Sequence, residues 1–179
     1  MTTVEMPRLP MTADEFERMP PVEGLRIELW EGNLDVSAAA QRRWHAIVMH
    51  RIGELFRSAG REVSFETGVV LTDRTVREPD VSRFRAGVFP GYRRSQFAAY
   101  DLDCVVEVIS PESEKRDRTI KPDEYAAAGI PEFWLVEEHP DDEADAVVNI
   151  YRLNSGSYAP LPAVDLSALE GELEQEIES

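Results

Sequence analysis

One cysteine in 179 residues excludes an internal disulfide and any zinc site built from several cysteines. Cys104 lies in an apolar run and reads as a small core hydrophobe. Lysine is nearly absent too. Lys115 and Lys121 are the only two among 19 basic residues. No apolar stretch approaches the roughly 20 residues that span a bilayer. The start, Met1-Thr2-Thr3-Val4-Glu5-Met6-Pro7, has neither the basic region nor the apolar core of a signal peptide. A cytoplasmic protein with no membrane partner is expected. Positive charge is also scarce, and the net charge of −16 argues against simple nucleic-acid binding, which calls for a basic footprint.

The charge is unevenly spread. Residues 137–145 hold six acids and no Lys or Arg, and residues 165–179 repeat that count. Residues 40–121 carry 15 basic and 12 acidic side chains, a net of +3. The middle of the chain is therefore mildly basic, and the acidity sits in a late loop and a C-terminal tail. That tail suits a solvated or helical terminus, or a decoy or partner-binding segment.

With 42% apolar residues, the chain suits a single globular domain. The pattern predicts a flexible arm over 1–11, one domain over 12–160 and an acidic tail over 161–179. Thr12-Ala13-Asp14-Glu15 has the form of a capping box, which starts a short helix to about Met19. Arg26 to Trp30 and Asn33 to Val36 read as two strands around Glu31-Gly32-Asn33, a hairpin signal. Trp44, Ile47, Val48, Ile52, Leu55 and Phe56 recur at helical spacing over 41–59. Strands are expected over 62–72, 79–85 and 102–109, with a loop or short helix over 86–101. A turn at Ser110-Pro111-Glu112-Ser113 leads into a helix ending at Gly129, then strands from Ile130 to Val136 and Val147 to Leu153. The order predicts an α/β domain with a mixed sheet.

Glu107 stands out. It interrupts Cys104-Val105-Val106-Glu107-Val108-Ile109, a run that otherwise reads as a buried strand. Burying an unpaired carboxylate is costly unless a cation, or protonation, compensates. Strand alternation puts Glu107 on the face opposite Cys104, Val106 and Val108. Asp80 follows Pro79 at the start of an earlier strand. Two such carboxylates on adjacent strands can converge on Mg²⁺ or Mn²⁺. The competing readings are a strand-end cap for Asp80 and a pair with a core arginine for Glu107. Lys121 and Tyr125, four apart, share a helix face, and Lys121 is either a surface lysine or a cation for a bound phosphate. Pro122 disfavours helical geometry at the residue before it, so Lys121 is expected at a helix start or a kink.

Pro79-Asp80-Val81-Ser82, Val106-Glu107-Val108-Ile109-Ser110-Pro111-Glu112-Ser113, Asp117, Lys121, Tyr125 and Gly129-Ile130-Pro131-Glu132-Phe133-Trp134 together resemble the Uma-type "putative restriction endonucleases" of the PD-(D/E)XK nuclease superfamily. Glu28-Leu29-Trp30-Glu31-Gly32-Asn33 and His45 are similar to that family's opening. The resemblance spans about residues 12–153. It implies a restriction-endonuclease-like α/β/α core with a mixed sheet, a divalent-metal site at Asp80 and Glu107, and Glu28 in support. The superfamily lysine two positions after the glutamate is replaced by Ile109, and the resemblance implies that Lys121 takes its place.

The implied function is Mg²⁺- or Mn²⁺-dependent hydrolysis of DNA phosphodiester bonds by Asp80, Glu107, Lys121 and Glu28, with a homodimer as one possible assembly. Arg42, Arg43, Arg83 and Arg85 are the candidate substrate contacts, with Arg93 and Arg94 as further phosphate contacts. His45 either faces the site or is structural. Two other readings stand beside this one: a nuclease fold that no longer cleaves and acts as a binding or regulatory module, and a metal hydrolase acting on a small phosphorylated substrate.

Overall fold

The computed structural model describes residues 9–38, 42–88, 91–110 and 114–178, without the side chains of 38, 174 and 176–178. Most of the expected N-terminal arm, and residues 111–113 of the expected turn, lie outside these. The chain opens with α1 (Ala13–Glu17), whose Thr12 and Glu15 form the reciprocal capping box. β1 (Leu25–Trp30) and β2 (Asn33–Ala38) form an antiparallel hairpin in which Trp30 pairs with Asn33. Glu31 and Gly32 both take positive φ, 49° and 82°, as a two-residue turn of this hand requires. A Cβ on Gly32 would stand 2.6 Å from that of Pro10, so the incoming chain also needs a glycine there.

Then come α2 (Arg43–Ser58), β3 (Val63–Phe65), β4 (Gly68–Thr72), β5 (Thr75–Arg77), β6 (Val81–Phe84), β7 (Gln96–Ala98) and β8 (Leu102–Val108). The second half holds α3 (Glu114–Thr119), α4 (Lys121–Ala127), β9 (Glu132–Glu138), β10 (Ala146–Asn154), β11 (Ser157–Pro160), β12 (Val164–Asp165) and α5 (Leu166–Glu178). Mixed α/β architecture was expected, but with one sheet. Among the described residues there are two, ordered β2-β1-β5-β4-β7 and β11-β10-β9-β8-β6-β3, with β12 on β10. Each is mixed through one parallel pair, β4 with β7 and β8 with β9.

The extra sheet arises inside the run 62–72. Glu66 takes φ 45° and divides it, so β3 pairs with β6 in one sheet and β4 pairs with β5 in the other. The segment 86–101 contains β7 and a 3-10 turn, Ala99–Asp101. The helix expected before Gly129 is two helices. Pro122 has no N–H to continue the ladder from α3, so α4 starts afresh with Lys121 as its first residue. Residues 164–178, expected as an acidic tail, form β12 and α5, and Leu166 is fully buried in the core. Arg51 of α2 grips Glu170 through two hydrogen bonds of 2.7 and 2.9 Å.

The second sheet is covered on both faces. Cys104, Val106 and Val108 pack with Val48, Ile52 and Phe56 of α2 and with Leu166. Val105 faces the other way, with Tyr125 of α4, Phe133 and Leu135. Strand alternation carries Glu107 to that second face, against α4. Burial on both faces explains why β8 reads as a nearly continuous apolar run.

Candidate active site

β6 and β8 are antiparallel, with Val81 opposite Val106, so Asp80 and Glu107 stand beside each other one step further on. Both are buried, at 1% exposure. Asp80 is held by three donors from three elements. The Val108 N–H donates to Oδ2 at 2.6 Å, His45 Nε2 lies 3.2 Å from the same oxygen, and Arg26 donates to Oδ1 at 3.1 Å. Glu107 Oε1 accepts from Lys121 Nζ at 3.0 Å and from the Tyr125 hydroxyl at 2.5 Å. The four-residue spacing within α4 delivers both groups to one oxygen.

Lys121 is 3% exposed and lies among further carboxylates, 3.2 Å from Asp117 Oδ1 and 3.4 Å from Glu28 Oε1. Glu28 is fixed by the Glu78 N–H at 2.8 Å and by Arg77 at 3.1 Å. Arg77 is also buried. It makes a two-pronged bond to Glu124 at 2.7 and 2.9 Å and lies 3.6 Å from Asp35. Arg116 closes the chain of charges on Asp35 at 2.7 and 2.8 Å. The result is an alternating ionic lattice running from Lys121 to the surface.

Burial and neighbouring charge set the protonation of these groups. Burial pushes Glu107 up to about 8; Lys121 opposes this, while Asp117 and Asp80 add to it. Burial works against the Lys121 ammonium, but Glu107, Glu28 and Asp117 outweigh it and raise its pKa. For Glu28 burial is overcome by Lys121, Arg26 and Arg77, which hold it down at about 2. Asp80 is lowered despite burial by its bond to His45 and by Arg26. His45 is raised despite burial by Asp80. Burial raises Glu78 to about 7, with Arg26 opposing.

The structure thus brings together Asp80, Glu107, Lys121 and Glu28, with His45 against Asp80. Lys121 stands at the helix start that Pro122 implied. Arg42 precedes and Arg43 begins α2, three and two residues before His45, and both are exposed; Arg42 lies 3.5 Å from Glu138. Arg83 is elsewhere, about 10 Å along the strand from Asp80 at 3.4 Å per residue. It bonds Asp103 at 2.7 Å and lies over the Phe56 ring at 4.6 Å, so it is a structural ion pair at the far end of the sheet. Arg85 lies beyond it, bonded to the Tyr100 carbonyl at 2.7 Å. Arg93 and Arg94 are exposed. Sequence reasoning missed Arg26 and Arg77. The alternation of Arg26 with Glu28 puts both on one face of β1, and that was the available signal.

Among the described residues, no three His, Cys, Asp or Glu side chains already form a metal-binding group. The donor chemistry nonetheless fits a hard cation. Glu28, Glu78, Asp80, Glu107, Asp117 and Glu124 converge on Arg26, Arg77, Lys121 and His45, which leaves a surplus of carboxylate.

Residues 13–178 match the Uma2 family, described as "Putative restriction endonuclease". The chain belongs to the Uma2 family. Among solved structures, this Uma2 chain is similar to the crystal structure of a "putative nuclease belonging to DUF820" from Anabaena variabilis ATCC 29413. The identity is 20%, over 92% of this chain and 99% of that one, with a TM-score of 0.65. At that identity the likeness shows a shared fold. No curated protein matches the Uma2 chain. No helix among its described residues is long and apolar enough to cross a membrane.

Proposed function

We propose that the protein is a metal-dependent nuclease that hydrolyses DNA phosphodiester bonds with Mg²⁺ or Mn²⁺. The observation that carries this reading is the buried pair Asp80 and Glu107 on neighbouring strands, with the Lys121 ammonium 3.0 Å from Glu107. Membership of the Uma2 family supports it.

Asp80 and Glu107 would hold the ion. When bound, it would supply Lewis acidity toward a phosphate oxygen and a more acidic water. The Val108 N–H, Arg26 and His45 orient Asp80 and keep it ionised. Tyr125 orients Glu107. Lys121 keeps a positive charge where negative charge develops on the phosphoryl group, and Glu28 positions that ammonium. Arg42 and Arg43, exposed at the start of α2, supply backbone phosphate contacts.

The test is cleavage of plasmid, linear DNA and RNA in Mg²⁺ or Mn²⁺ by wild type, Asp80→Asn, Glu107→Gln and Lys121→Met. Wild type is expected to nick DNA, and each variant to lose about 100-fold or more, the scale of removing one transition-state contact. Absence of wild-type cleavage on every substrate overturns the reading. Undiminished cleavage by Glu107→Gln removes the site.

One observation favours a second reading, a nuclease fold that binds without cutting. Lys121 is enclosed by Glu107, Asp117 and Glu28, and Asp80 by Arg26, His45 and the Val108 N–H, so the site is closed as it stands. DNA binding without cleavage in either metal would select it.

A further inference from the structure

Asp117 has no role in the mechanism above, yet it is 1% exposed and on the inner face of α3. Among the described residues, both of its carboxylate oxygens are buried without a hydrogen-bond partner. The cation beside it is Lys121, at 3.2 Å but outside hydrogen-bonding geometry. A buried carboxylate in that state is costly, because each unsatisfied oxygen forfeits its hydration. Its neighbour Lys121 also serves Glu107 at 3.0 Å and Glu28 at 3.4 Å. Carboxylate oxygens from β1, β8 and α3 therefore surround a single point, and an ammonium occupies it.

We propose that Asp117 is a further ligand to the divalent cation held by Glu107, and that the Lys121 ammonium keeps its place until the ion arrives. The inference rests on the metal site proposed above. Oxygens at 3.0 to 3.4 Å from a nitrogen are spaced for an ammonium, whereas Mg²⁺ draws its ligands to about 2.1 Å. That difference explains why the same carboxylates do not already stand as a metal-binding group. It also gives Lys121 two positions: among the carboxylates before the ion binds, and released toward the phosphate after.

The alternative is that Asp117 only steadies Lys121, as its i,i+4 partner on the helical path. A double-mutant cycle separates the two. Mn²⁺ affinity is measured by the loss of the free-ion paramagnetic resonance signal, without substrate, for wild type, Asp117→Asn, Lys121→Gln and the double variant. Lys121→Gln is expected to tighten Mn²⁺ binding, since it removes a competing cation. Asp117→Asn is expected to weaken it by at least about tenfold, the lower end of what outer ligand partners contribute. The same loss is expected when Asp117→Asn is made in the Lys121→Gln background. If Asp117→Asn has no effect once Lys121 is gone, Asp117 acts through the lysine and the proposal is overturned. Circular dichroism of each variant checks the fold, and Asp117→Glu, which keeps the charge, restores affinity on this reading if Asp117→Asn folds poorly. Glu107→Gln is the control for the underlying site. Undiminished Mn²⁺ binding by that variant overturns the site as a whole. Binding lost in Glu107→Gln but kept in both Asp117→Asn backgrounds overturns the role of Asp117 alone.

Discussion

Glu107 is a carboxyl that folding makes hard to ionise. In an unfolded chain such a group titrates near about 4.3; burial, beside Asp117 and Asp80, lifts it to about 8. Between those values the folded protein holds a proton that the unfolded chain has released. Its contribution to stability is therefore complete below the unfolded value and lost as pH rises through the folded one. Glu78, raised to about 7, acts in the same direction, while Glu28, held near 2, contributes stability that is lost only as the solution becomes strongly acidic. In the presence of a chelator, the melting temperature of wild type is expected to fall relative to Glu107→Gln as pH is raised from about 5 to 8. The groups facing Glu107 are Lys121, Tyr125, Asp117, Asp80 and Arg26, and the variant leaves all of them in place. Parallel melting curves for the two proteins would show that Glu107 is ionised throughout that range.

At the scale of elements, what the sequence disclosed depended on how local each signal was. The Thr12 capping box, the Glu31-Gly32 turn and the apolar stripe of α2 are written within a few residues, and each forms where expected. Glu107 was legible because a charge in an apolar strand is a local contradiction. The division into two sheets was not, since a single left-handed residue, Glu66, decides that β3 and β4 part company. Arg26 and Arg77 were hidden because their partners are about 50 positions away, on strands and helices whose pairing the sequence does not print. Residues 165–179 read as a solvated or helical terminus, and α5 is in fact docked through the fully buried Leu166 with Leu169 packed beside it. Leu166→Ala is expected to cost about 2 to 5 kcal/mol, the range for a fully buried leucine. Glu170→Ala, which removes a partly exposed partner of Arg51, is expected to cost within about 1 kcal/mol. Urea denaturation of the two variants checks the contrast, and equal losses would show that α5 is held by charge.

For the whole molecule, the proposed action on DNA raises the question of how a protein of net charge −16 approaches a polyanion. The arginines near the site are already committed, Arg26 and Arg77 to the lattice and Arg116 to Asp35, and Arg83, at the far end of the sheet, is bonded to Asp103. Arg42 and Arg43 stand at the exposed start of α2, with Arg42 3.5 Å from the exposed Glu138. Few phosphate contacts mean a shallow salt dependence. Fluorescence anisotropy with duplex DNA across a potassium chloride series is expected to show a log–log slope that shrinks by about 0.9 for each of Arg42→Ala and Arg43→Ala. An unchanged slope in the double variant would place the DNA on another surface.

Cys104 lies at the centre of the second sheet, fully buried, with burial raising its thiol well above the ordinary range. A thiol reagent cannot reach it until β8 leaves both its neighbours. Since no other sulfhydryl competes, its labelling rate under native conditions becomes a clock for the rarest opening of the fold, and a ligand that closes the carboxylate end of β8 should be seen to slow it.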